Sequence, residues 1–102
     1  MSGPIEVPLS APVKAHGEQL TKLSLRPPTG KDLRICGNPF RMRAEEGNAT
    51  ASPVFDSAAS AKMLSELAGV PLSTIDQLPA RDFFKAQMTL LDFFGEETPT
   101  TS

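Results

Sequence analysis

The chain has 102 residues, of which 28 are Val, Ile, Leu, Met or Phe, enough for one compact core and too few for two. A net charge of −2 and a pI near 5.3 argue against a generally basic nucleic-acid binder. One cysteine and one histidine exclude an internal disulfide and a four-ligand Cys/His zinc cage.

The opening Met1-Ser2-Gly3-Pro4 lacks the basic and apolar regions of a signal peptide, and no run of residues is apolar enough for a membrane span. A soluble protein of a reducing, cytoplasmic compartment is expected. Ile5, Val7 and Leu9 alternate with Glu6 and Pro8, the period of a half-buried strand, with Pro8 favouring an edge. Thr21, Leu23 and Leu25 repeat the pattern after His16-Gly17, which predicts a hairpin with His16 at its exposed tip. Leu20 is out of phase with Leu23 and Leu25, which suggests a bulge there or a strand that starts after it.

Pro27-Pro28 ends the second strand, and Thr29 through Asp32 opens a short helix, with Thr29 as cap and Asp32 at the positive end of its dipole. Gly37-Asn38-Pro39 stops that helix, and the segment 37–52, which shows no period, is expected to be a flexible loop. Ser52-Pro53 resembles a cap followed by a first-turn proline, which starts a longer helix carrying Phe55, Ala59, Met63 and Leu67 at i+4 and ending at Gly69. Leu72, Ile75 and Leu78 predict a short helical turn, and Pro79 starts a last helix that runs to Gly95. Residues 95–102 hold no apolar side chain and read as a disordered tail. The expected fold class is therefore α+β in a single domain over 1–94: a small N-terminal antiparallel hairpin or sheet, a short helix and two longer C-terminal helices.

Charge divides the chain into three blocks. Residues 1–25 balance, 26–44 carry +4 and 45–102 carry −6. This asymmetry suits self-complementary packing or a charged partner.

Catalytic chemistry finds little support. His16 is expected in a turn, and Cys36, beside Ile35, reads as a small buried hydrophobe. Gly30-Lys31 lacks both the earlier glycine and the following Ser or Thr of a phosphate-binding loop. Glu45-Glu46 and Glu96-Glu97 fall in expected loop and tail, where no geometry would tune them for acid–base work. No metal-ligand spacing or cofactor fingerprint is present in the sequence, so neither an enzyme nor a cofactor-binding protein is expected.

The last helix carries the strongest signal. With Phe83 at 0° and about 100° per residue, Phe83, Leu90 and Phe94 centre an apolar face expected to enter the core. Ala86 and Phe93 extend the apolar arc on one side, and Phe84, Met88 and Leu91 extend it on the other. Gln87 interrupts the arc, and only Lys85, Thr89 and Asp92 remain polar. A surface helix needs a stripe of roughly 100°, and this arc spans about 220°. The surplus face, Phe84, Met88 and Leu91, must be covered by a partner, by a second copy or by the chain's own sheet. Met63 joins them as an adaptable candidate contact.

Leu23-Ser24-Leu25-Arg26-Pro27-Pro28-Thr29-Gly30-Lys31-Asp32-Leu33 resembles the strand-to-helix junction of the tail assembly chaperones of contractile-tailed bacteriophages. Leu67-Ala68-Gly69-Val70-Pro71, then Ile75-Asp76-Gln77-Leu78 and Asp82-Phe83, follow in that family's order, so that the likeness spans residues 5 to 94. The resemblance implies a nonenzymatic assembly factor without catalytic or cofactor residues. It would bind the tape measure protein and keep it soluble in the host bacterial cytoplasm during tail tube assembly, and be absent from the finished virion. The rival reading is a small nucleic-acid-binding regulator that uses the basic segment 26–43, with Arg26, Lys31, Arg34, Arg41 and Arg43. That segment has one aromatic residue, Phe40, and the chain has no Tyr or Trp for stacking on bases.

Overall fold

In the computed structural model, which describes residues 3–44 and 51–96, the chain opens with the expected hairpin. β1 (Ile5–Ala15) and β2 (Glu18–Leu25) pair antiparallel, with Ile5 opposite Leu25 and Val7 opposite Leu23. Opposed residues share a face, and Val7, Leu23 and Leu25 are buried on this one. His16 (φ 53°) and Gly17 (φ 78°) both take positive φ, forming a two-residue turn whose twist matches its strands.

The register jumps between Pro8, opposite Lys22, and Val13, opposite Leu20. Residues 9–12 of β1 therefore bulge against Thr21 alone, and the irregularity lies in β1 rather than at Leu20. Pro8 precedes the bulge and Pro12 is its last residue, and neither has an N–H to lose from the ladder.

α1 (Gly30–Cys36) starts with a reciprocal cap. The Asp32 N–H donates to Thr29 Oγ1 at 3.4 Å, while Asp32 Oδ2 accepts from the Thr29 N–H at 2.9 Å and its hydroxyl at 3.1 Å. The Arg26 guanidinium grips the same carboxylate with both arms, at 2.7 and 3.0 Å. Arg26, followed by burial acting the other way and by the Thr29 donors, holds the Asp32 carboxyl well below the usual carboxylate range.

Where a flexible loop was expected over 37–52, the chain builds a second two-stranded sheet. β3 (Phe40–Ala44) and β4 (Ala51–Phe55) pair antiparallel, with Phe40 opposite Phe55 and Met42 opposite Pro53; residues 45–50 lie outside the described residues. No alternation betrays these strands because Arg41, Met42, Arg43, Ser52 and Pro53 are exposed, leaving no face consistently buried. Their anchor is at the base. The Phe40 ring packs 5.8 Å from Phe55 and 5.6 Å, edge-on, from Phe94.

The expected helix start at Ser52-Pro53 is corrected for the same reason, since both residues belong to β4. α2 (Ser57–Ala68) is capped by Asp56, whose Oδ1 accepts from the Ala59 N–H at 3.0 Å, so Phe55 precedes the helix. Asp56 and Ser60 both donate to the Pro39 carbonyl, which ties the helix start to the base of β3. Gly69 ends α2 in the left-handed region (φ 69°), its N–H returning to the Ser65 and Glu66 carbonyls.

α3 (Leu72–Asp76) clips the turn end of β1. Gln77, just beyond it, accepts from the Lys14 N–H and donates to the Lys14 carbonyl, and Thr74 donates to that carbonyl at 2.7 Å. α4 (Ala80–Glu96) runs one residue past its expected end at Gly95, and the remainder of the expected tail, 97–102, lies outside the described residues. The β1–β2 sheet packs on α2 and α4, and the core between these layers holds Leu23, Leu25, Met63, Leu64, Leu67, Leu90 and Phe93. The α+β class stands, with a second sheet added to it and the expected helical turn formed as α3.

Candidate functional site

α4 begins Ala-Arg-Asp-Phe-Phe, and its third residue decides how the whole helix is rotated. The bulge in β1 turns the Ser10 backbone away from β2, and Asp82 Oδ2 accepts both the Ser10 N–H and its hydroxyl at 2.9 Å. Asp82 is fully buried as a result. Burial pushes its carboxyl upward, but the Ser10 hydrogen bonds, with Lys85 and Arg81 nearby, bring it net below the ordinary range.

Fixing Asp82 inward rotates the core-facing stripe away from the expected centre. Asp82, Ala86, Thr89, Leu90 and Phe93 are buried, so the stripe centres about 70° from Phe83 at 100° per residue. Phe83 and Phe94 are half-buried at its edge, and Thr89, expected on the polar side, donates its hydroxyl to the Lys85 carbonyl beneath it. Gln87 is buried as well. No sequence period signals this rotation, because the residue that sets it is a carboxylate.

The opposite face of α4 stays uncovered. Phe84 is 57% exposed and Met88 40% exposed, and Leu91 is half-buried beside them. Spaced i, i+4 and i+7, they form one ridge about 10 Å long at 1.5 Å per residue. Arg81, Lys85 and Asp92 are exposed along one flank of this ridge. The chain's own sheet does not cover the ridge, since the buried stripe of α4 faces it instead.

Met63 does not belong to this surface. It is fully buried in α2 among Leu64, Leu67 and Leu90, where its flexible side chain fills the core and presents nothing at the surface. Among the described residues, the other exposed large apolar side chains, Ile35, Met42 and Leu72, lie on α1, β3 and α3 and share no helix with the ridge.

Arg26 is committed to Asp32, Lys31 and Arg34 are exposed on α1, and Arg41 and Arg43 share one face of β3. Cys36 is buried, and burial pushes its thiol up, away from the reactive thiolate. His16 sits in the hairpin turn, its Nε2 3.4 Å from the Gly69 carbonyl. Among the described residues, no cluster of His, Cys, Asp and Glu is arranged to hold a metal ion, and no helix is long and apolar enough to cross a membrane.

Comparison with curated proteins and with solved structures yields no significant match. A protein-family model described as phage tail assembly chaperone proteins, E, or 41 or 14, does match, over residues 6–95. That span reaches from β1 into α4, leaving out only Ile5 and Glu96 of these elements, and includes the capped junction at Thr29 and the α4 ridge. The chain belongs to the phage tail assembly chaperone family.

Proposed function

We propose that the protein binds the tape measure protein of its phage through the α4 ridge and keeps that client soluble while the tail tube assembles. The observation that carries this reading is the exposure of Phe84 and Met88 on one face of a helix whose other face is fully committed to the core. An exposed side chain of this size forgoes about 1.5–3 kcal/mol of burial, which a client's apolar helix face supplies. Masking such surfaces requires no bond making, so the role is nonenzymatic. It is exercised in the host bacterial cytoplasm, and the chaperone is left out of the finished virion once tube subunits replace it.

Co-expression with the tape measure protein, followed by co-purification at low and high salt, tests the reading. Wild type should capture the client at both salt concentrations, because apolar burial is not screened. Phe84→Asp with Met88→Asp should lose it while keeping the wild-type circular dichroism, since both positions are exposed. No capture by wild type, or unaltered capture by the double variant, sinks the proposal. Recovery of nucleic acid that salt removes would turn attention to segment 26–43.

A further inference from the structure

The flank of the α4 ridge carries a charge order that makes the ridge complementary to itself. Lys85 lies one position past Phe84, Asp92 lies one past Leu91, and both are exposed on the same flank. Among the described residues, neither takes part in an ion pair. Met88 stands at the midpoint of the ridge.

When two helices pack antiparallel about a two-fold axis, each flank faces the same flank of the other copy in reverse order. An axis through Met88 sets Met88 against its own counterpart and Phe84 against the other copy's Leu91. It also sets Lys85 beside the other copy's Asp92, and the symmetry makes that pair twice. A parallel pairing offers no such match, because the charged flank would face the other flank, which carries Ala80, Phe83 and Gln87.

We propose that the α4 ridge docks on the α4 ridge of a second copy in this antiparallel arrangement, and that the pairing covers the ridge until a client displaces it. The displacement rests on the client reading above; the pairing does not. A ridge of three side chains is a small contact, so the dimer is weak and concentration-dependent. That weakness suits a surface that must be surrendered.

Sedimentation equilibrium across the micromolar to millimolar range tests the pairing with no tape measure protein present. Wild type should gain mass with concentration. Lys85→Glu alone sets Glu against Asp92, and Asp92→Lys alone sets Lys against Lys85, so each should dimerise at least about tenfold more weakly. An equimolar mixture of the two variants restores opposite charges at both pairs and should dimerise as wild type does. Wild type that stays monomeric throughout overturns the proposal, as does a single variant that dimerises undiminished or a mixture no better than its components. Addition of the tape measure protein to the mixed dimer should then separate the two variants, and a mixed dimer that stays intact while binding it overturns the displacement. Loss of client capture and loss of dimerisation are read separately, so failure of one reading leaves the other standing.

Discussion

Asp32→Ala removes one carboxylate and with it the junction between β2 and α1. The side chain accepts two hydrogen bonds from Arg26 and two from Thr29, at 2.7 to 3.1 Å. Thr29 Oγ1 keeps the backbone N–H of residue 32, but the reciprocal half of the cap is lost. That half, a carboxylate that accepts the Thr29 N–H at the positive end of the helix dipole, is worth about 1 kcal/mol. The Arg26 side chain remains 45% exposed and regains water, so the ion pair itself adds about 1 kcal/mol rather than the larger value of a buried pair. Together the loss is about 2 kcal/mol, a sizeable share of the 5–15 kcal/mol of a typical domain.

The chain has neither Trp nor Tyr, so urea unfolding is best followed by far-ultraviolet circular dichroism. The pH dependence adds a second constraint. Because the folded Asp32 carboxyl sits below its unfolded value of about 4, its stabilisation is fully present above that pH and is lost as pH falls through the lower, folded value. The stability gap between wild type and Asp32→Ala should therefore hold at neutral pH and narrow steadily below about pH 4. A gap under about 0.5 kcal/mol at neutral pH, or one that does not narrow in acid, refutes this account of the junction.

Leu90→Ala empties a site with no solvent exposure between α4 and the sheet, and should lower unfolding free energy by about 2–5 kcal/mol in the same urea assay. Gly69→Ala should cost about 1–2 kcal/mol although open space surrounds the new methyl group, because φ 69° is what an L side chain resists; a neutral result would show that α2 can end another way. Asp82→Asn weakens the acceptor that holds Ser10, and amide exchange at Ser10 should quicken at least about tenfold while exchange in β3 and β4 stays unchanged.

Local chemistry made several elements legible in the sequence. His16-Gly17, Thr29 with Asp32, and Gly69 each act within a few residues, and the hairpin turn, the α1 cap and the α2 end formed where those residues stand. The second sheet was hidden because hydrophobic period reports a buried face, and these strands are held by one aromatic cluster at their base. Ser52-Pro53 carried the composition of a helix start, yet Asp56 captured the amide of Ala59 and took that role. The surplus on α4 was visible as an apolar arc too wide for one core. Which part of it lay outside was set by Asp82 reaching Ser10, a contact across 72 residues that no local window contains.

That same contact orders events in time. A chain emerging from the ribosome presents the β1 bulge long before α4 exists, and until then the Ser10 amide has only water for a partner. Closing so long a loop comes late in folding, after the local hairpin and helices have formed. The ridge is therefore displayed on a rigid helix only once the last element has docked on the first. A partial chain that lacks α4 lacks the ridge altogether, so the surface exists only on the completed domain.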